Sequence, residues 1–273
     1  MKDKISVLSF GAGVQSTTLL MMSLAGELPP LDAVVFADTG WEPRAVYAHL
    51  EKCWSLCESA GVEFVRVSRG SLRADTFGVI QARKNGERGG MSATLQIPTF
   101  SIASTSERVG MMRRFCTKNY KVGPVNKAIT KLKRKHKANL VEVWLGISVE
   151  EIERMKVSKI KGVKYLHPLA WDLRMSRQGC IEWMLRNEHD RPPRSACTIC
   201  PYHTNREWKE LRDNDGEAWL DAVRLDELVR NMDNGFQTFL HRSGKPLSLV
   251  ELDDDDDQLS LGFLNECEGM CGT

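Results

Sequence analysis

The chain has 273 residues, is 42% hydrophobic and 27% charged, and carries a formal charge of only +2. This composition can bury a full core and excludes wholesale disorder and collagen-like repeats. No apolar run approaches the roughly 18 residues needed to span a bilayer, and the run before Gly11 is too short for a signal-peptide core. A cytoplasmic protein with no membrane partner is expected.

The first 70 residues alternate strand and helix signals. Ile5 to Phe10 reads as a buried strand broken by Gly11-Ala12-Gly13, and Gln15 to Glu27 as a helix presenting Leu19, Leu20, Met22 and Leu24. Pro29-Pro30 ends that helix. A second strand, Ala33 to Ala37, closes on Asp38-Thr39-Gly40. Pro43 to Ser59 is predicted helical, with Val46, Leu50, Trp54 and Cys57 at helical spacing, and Val62 to Val67 is a third strand. Strands separated by helices predict βαβ units and a parallel sheet.

Residues 71 to 112 lose this rhythm, and Arg83 to Gly90 reads as a Gly/Lys/Arg surface loop. Helix signals return over Val125 to Lys137. Leu140 to Leu145 is another strand, followed by a helix over Ser148 to Met155. Ser176 to Asn187 and Glu207 to Asn231 read as helices, with Trp183, Leu211, Trp219, Leu220 and Val223 as core candidates. The acidic run Glu251 to Asp257 reads as a solvated linker to a Cys-bearing tail. The expected organisation is an α/β nucleotide-binding domain over 1–170 and a mainly helical, cysteine-bearing region over 171–273.

The small net charge conceals an asymmetry. Residues 113 to 137 hold ten Lys/Arg and no Asp/Glu; a total of +2 with +10 here leaves −8 for the rest. A second basic set, Arg154, Lys156, Lys159, Lys161 and Lys164, follows Glu150-Glu151. Lys/Arg at this density can neutralise backbone phosphates, so Arg113 to Lys137 is the candidate nucleic-acid surface; a solubilising helix face is the plainer reading.

Ser9-Phe10-Gly11-Ala12-Gly13-Val14-Gln15-Ser16 places a glycine turn between a strand and a helix start. Glycines let the backbone approach a ligand, and the helix N-terminus offers free N–H groups to a phosphate. A Walker loop is excluded because no Gly-Lys-Ser/Thr is present. A dinucleotide fingerprint would need glycine where Ser16 stands, although Asp38 lies at a suitable distance for a ribose contact.

Of the eight cysteines, Cys197-Thr-Ile-Cys200 is a C-x-x-C followed by His203, with Cys116, Cys267 and Cys271 available as further ligands. In a reducing compartment such a set points to a metal or to catalysis rather than to disulfides. An iron–sulfur cluster, a zinc site and uncoordinated thiols all remain open. Cys53, Cys57 and Cys180 read as core residues.

Four segments carry a resemblance. Ser9 to Ser16 resembles the PP-loop of the adenine nucleotide α-hydrolase (ATP pyrophosphatase) superfamily. Asp38-Thr39-Gly40 matches the D-T-G of its phosphoadenosine-phosphosulfate reductase-like branch. Cys116 to Pro124 is similar to that branch's C-x-x-x-x-K-x-x-P segment, and Leu145-Gly146 to Glu151 to its L-G-x-x-x-x-E turn. The branch is similar to DNA phosphorothioation sulfurtransferases and tRNA thiolases.

The resemblance implies a Rossmann-like (HUP-type), mostly parallel sheet flanked by helices, and ATP split between its α and β phosphates with Mg²⁺. Ser9, Phe10, Gly11, Gly13, Gln15 and Ser16 would hold the pyrophosphate, Ser16 also acting in catalysis. Asp38, Thr39 and Gly146 would lie at the nucleotide. Gln15 stands where many PP-loop enzymes carry Asp. By the same analogy Cys116, Cys197 and Cys200 would hold a 4Fe-4S cluster, with Zn²⁺ as the alternative metal. Cys267 would be a fourth ligand, or Cys267 and Cys271 a tail nucleophile or persulfide carrier.

The function so implied is an ATP-dependent sulfurtransferase acting on DNA or tRNA, its sulfur supplied by a cysteine desulfurase or another donor. A sulfonucleotide reductase and a non-catalytic nucleotide-sensing or nucleic-acid-binding module are the alternatives.

Overall fold

The structure is a computed structural model and describes residues 2–85, 95–103, 109–230 and 236–253. Cys267 and Cys271, most of the Arg83 to Gly90 segment and the acidic run beyond Asp253 lie outside the described residues.

Five strands form a parallel sheet: β1 (Lys4–Phe10), β2 (Ala33–Asp38), β3 (Glu63–Ser68), β6 (Leu140–Leu145) and β7 (Val163–Leu166). Their order is β3-β2-β1-β6-β7, with Val7 opposite Ala33 on one side and Val143 on the other. The apolar runs of β1 and β2 reflect burial on both faces, as parallel sheets require. The chain moves outward from β1 to β3, then returns to place β6 on the other flank of β1. The direction of winding therefore reverses between β1 and β6. The crevice beyond the carboxyl ends of strands at such a reversal is where open α/β sheets hold ligands.

On one face α1 (Val14–Leu24), α2 (Arg44–Ser59) and α6 (Arg177–Arg186) share a core with Leu8, Phe10, Val34 and Phe36. The opposite face is covered by α4 (Gly123–Lys135), whose Val125, Ala128, Ile129 and Leu132 pack on Ile5, Val7, Val35 and Val143. A third core joins Leu72 and Ile80 of α3 (Leu72–Lys84) to α7 (Asn205–Asn214) and α8 (Gly216–Arg230) around the fully buried Trp208. Among the described residues no helix is long and apolar enough to cross a membrane.

Several elements depart from the sequence expectations. The stretch after residue 70 contains α3, capped by Ser71, whose hydroxyl accepts from the Ala74 N–H; Arg83 and Lys84 belong to this helix. Polar residues on its exposed face hide the apolar periodicity. A separate antiparallel sheet joins β4 (Phe100–Ala103), β5 (Val109–Met111) and β8 (Phe236–Phe239), strands too short to signal themselves. The helix expected over Glu207 to Asn231 is two helices. Asp215 breaks it, accepting from the Arg44 and Ala218 N–H groups. Leu220, expected in the core, is 67% exposed because this break turns it outward. The helix expected over Ser148 to Met155 is a 3₁₀ turn, Val149–Arg154.

Cys53, Cys57 and Cys180 are buried. Burial pushes the Cys53 thiol up to about 12 and the Cys57 thiol up to about 11, so both are inert packing groups. His49 lies beside them, 2.9 Å from Thr17 Oγ1, and burial lowers its pKa to about 4. The unfolded chain therefore binds the extra proton first as pH falls. Stability is expected to decline between about pH 6.5 and pH 4, and His49→Gln should flatten that part of a denaturation-midpoint-against-pH curve.

Candidate functional site

The loop after β1 sits at the winding reversal. Gly13 caps α1 without a side-chain bond, leaving the first helical N–H groups to a ligand. Ala12 takes φ of 61°, a left-handed conformation that an L-residue adopts at a cost. Ser16 braces the turn: its Oγ accepts from the Gly11 N–H at 3.3 Å and donates to the Gly13 carbonyl at 3.3 Å. Its position is thus structural as well as close to any bound phosphate. Phe10 turns its ring into the core against Phe36 and Phe64, so it can meet a ligand only through its backbone.

Around this loop the structure leaves buried polar atoms without a partner. Ser9 Oγ, Gln15 Oε1 and Ser148 Oγ are all in this state, and the three residues are at most 4% exposed. Orphaned buried polar atoms are uncommon and call for an explanation, a bound ligand, water or ion among them; others lie elsewhere, Thr76 Oγ1 and Trp208 Nε1 included. Gln15 Nε2 donates to Glu151 Oε2 at 3.2 Å, and Glu151 also pairs with Arg154. Gly146 lies in the turn between β6 and this acid.

At the end of β2, Asp38 is fully engaged. Its Oδ1 accepts from the Gly40 N–H and from Tyr47, and its Oδ2 from Arg66 Nη2 and Nε at 2.7 and 3.0 Å. Gly40 occupies the left-handed region at φ 69°, which a turn of this shape reserves for glycine. Asp38 orders the turn rather than standing free for a ribose hydroxyl.

Thr39 connects this turn to the cysteines. Its Oγ1 donates to Glu42 at 2.9 Å and lies 3.4 Å from Cys197 Sγ. Cys197 also donates to Glu42 at 3.3 Å, and Lys121 Nζ stands 3.6 Å from the same carboxylate oxygen. Burial pushes the Cys197 thiol well up, and the Glu42 charge adds to this, only partly offset by Lys121. Cys116, at the head of a π-helical turn over Thr117–Val122, lines one small pocket with Cys197 and Cys200. Leu72, Ile97 and Ile199 supply apolar walls, and Arg114 and Lys121 the cations.

The three cysteines named from sequence thus meet. Among the described residues no group of three or more His, Cys, Asp or Glu is arranged to hold a metal ion. Cys197 Sγ lies 3.3 Å from Glu42 Oε1, within hydrogen-bonding distance.

The C-x-x-C segment is tied to the glycine loop after β1. Ser195 Oγ donates to the Gly11 carbonyl, and the Thr198 N–H to the Trp41 carbonyl at 2.9 Å. His203, expected as a possible zinc ligand, instead has its Nε2 3.0 Å from the Cys197 carbonyl and pairs with Glu207.

Of the basic segment, Arg113, Lys118, Lys127, Lys131, Arg134, Lys135 and Lys137 are exposed. Lys121 is not: it is 6% exposed and serves the interior. Arg154 of the second basic set is likewise committed, to Glu151. Sequence reasoning missed Glu42, Ser148 and Ser195. A glutamate two residues past D-T-G was a faint signal for the first; the serines carried none.

No protein-family model matches this chain, and no curated protein matches it. Among solved structures it is similar to the U34-tRNA thiolase NcsA from Methanococcus maripaludis with its 4Fe-4S cluster. The TM-score is 0.43 and the identity 11%, over 85% of this chain and 75% of that one. A likeness of this degree assigns no residue, substrate or cofactor here.

Proposed function

We propose that this chain is an ATP-dependent sulfurtransferase that forms AMP and pyrophosphate and acts on a nucleic acid. The observation that carries the reading is contiguity. A loop with unpartnered buried Ser9, Gln15 and Ser148 atoms adjoins a three-cysteine pocket, and Thr39 and Ser195 bond across the boundary. In this reading residues 1–170 hold the nucleotide, and residues 171–273 bring the C-x-x-C and the tail carrying Cys267 and Cys271.

The loop N–H groups of Gly11 to Ser16, with Ser9 and Ser148, would hold the β and γ phosphates, and Mg²⁺ would enter on the nucleotide because clustered phosphate oxygens favour a hard cation. An acceptor oxygen attacks the α-phosphorus, the bond to the β-phosphate oxygen breaks and pyrophosphate leaves. Hydrosulfide then attacks the activated acceptor atom, a bond to sulfur forms, the bond to the adenylated oxygen breaks, and AMP leaves with that oxygen. The protein's part is positioning and charge stabilisation.

The chemistry of the donors, though not the present arrangement of the thiols, suits a soft metal–sulfur group. Thiols from two separate segments share an apolar pocket whose Arg114 and Lys121 would balance thiolate charge. Cys116, Cys197 and Cys200 would hold it once Cys197 gives up its proton and its bond to Glu42. A 4Fe-4S cluster there would supply a place to bind hydrosulfide, released from a desulfurase persulfide by an external thiol reductant; Zn²⁺ is the alternative occupant.

The test is anaerobic purification followed by an ATP assay with DNA, with tRNA and with neither. A brown protein that yields AMP and pyrophosphate only with nucleic acid and a sulfur donor is expected, and Cys116→Ser, Cys197→Ser and Cys200→Ser should each bleach it. A colourless protein with stoichiometric zinc would remove the cluster. Sulfite from phosphoadenosine-phosphosulfate and reduced thioredoxin would identify a sulfonucleotide reductase. Nucleotide binding with no AMP under any condition would identify a sensing module.

A further inference from the structure

A large cavity lies outside the site described above. It is an open groove of about 990 Å³ between β3 and α4. It lies at the edge of the sheet, where β3 is the last strand and α4 packs across β2 and β3. Val65 and Val67 of β3 are therefore left half-buried, forming with Val122 and Leu132 an apolar floor.

The walls are cationic. Lys127, Lys131 and Lys135 follow one another at i, i+4 and i+8 along α4, one stripe with about 6 Å of rise between neighbours. Lys118 extends the row into the π-helical turn, and Arg69 faces it from the end of β3. The one acid lining the groove is Glu63, which pairs with Lys135 at 2.7 Å. Arg69 lies over the Tyr120 ring, 5.0 Å from its centroid. Lys118, Lys127 and Lys131 make no ion pair among the described residues.

We infer that this groove is the track for the phosphate backbone of a single nucleic-acid strand; the inference rests on the functional reading above and locates its substrate. A row of like charges beside an exposed strand edge suits a linear polyanion better than a compact anion, for which the cations would converge on one point. The lining contains no aromatic side chain, so bases have no stacking platform and binding should tolerate any sequence. The row also leads to the chemistry. Lys118 and Asn119 line the groove while Cys116 and Lys121, on the same turn, line the cysteine pocket. A strand lying on Lys135, Lys131 and Lys127 is thereby aimed past Lys118 at the sulfur site.

The test is fluorescence anisotropy of a fluorescein-labelled oligothymidylate at several salt concentrations, using the full chain. Lys127→Ala/Lys131→Ala is expected to weaken binding roughly tenfold and to lower the slope of log K against log salt by about 1.4, two contacts at about 0.7 each. Arg186→Ala/Arg191→Ala removes the same charge from exposed positions at and just beyond the end of α6, on the other face of the sheet, and should leave the slope unchanged. Equal losses from both pairs would overturn the groove, because affinity would then follow net charge. So would an unchanged slope in Lys127→Ala/Lys131→Ala, or a dimer of the wild type that this double variant dissociates. AMP formation by the wild type separates the two claims. If nucleic acid stimulates it while the groove variant binds normally, the groove alone fails. If the groove variant loses binding but no AMP ever forms, the sulfurtransferase alone fails.

Discussion

Lys121→Met is expected to destabilise the protein by about 3–5 kcal/mol, the range seen when one partner of a buried ion pair is removed. Lys121 and Glu42 have side chains 7% and 2% exposed, with Nζ 3.6 Å from the carboxylate. Without the ammonium, Glu42 must either stay charged in an apolar pocket or take up a proton, and both options raise the energy of the folded state. Urea unfolding should show a lower midpoint at unchanged slope, because the surface exposed on unfolding is the same. Glu42→Gln/Lys121→Met should recover much of the loss, since the amide keeps an acceptor for Thr39 and Cys197 and leaves no unbalanced charge. A midpoint unmoved by Lys121→Met would show that the pair is solvated and does not organise the pocket.

Ser9→Ala is expected to move stability and activity in opposite directions. The Ser9 hydroxyl is 4% exposed and bonds to nothing. An unmet buried hydroxyl carries a desolvation cost, so deleting it should stabilise the ligand-free protein by about 1 kcal/mol. If the hydroxyl donates to a phosphate, the same change removes a charge-assisted bond of about 1.5–3 kcal/mol, and AMP formation should fall roughly 10- to 100-fold. Thermal unfolding and AMP release, measured on one preparation, report both. A less stable protein with unchanged turnover would mean that Ser9 packs the sheet and touches no nucleotide. A more stable protein with reduced turnover would make serine here an instance of stability given up for a ligand site.

The first βαβ units were legible because their signals are local. Buried strands on both faces read as continuous apolar runs in β1 and β2, and the glycine turns punctuate them. The motif-bearing segments were legible for the same reason: glycine, Asp-Thr-Gly and C-x-x-C are short and chemically unusual. The small sheet was not. Its strands are three and four residues long and pair across more than a hundred positions, Ser101 opposite Thr238. The break at Asp215 was invisible too, since it involves Arg44, 171 positions away in the chain.

Local pattern was sufficient for the fold class, for the glycine turn after β1 and for singling out Cys116, Cys197 and Cys200, which line one pocket. Which polar atoms stand unpaired, and which cations face water, could come only from the folded chain. Lys121 and Lys127 are both lysines of one basic run, yet one is buried against Glu42 and the other lines an open groove. The difference lies in which side of a π-helical turn and of α4 meets the sheet. Burial is a property of the assembled layers, and a charge acquires its role from what the packing leaves opposite it.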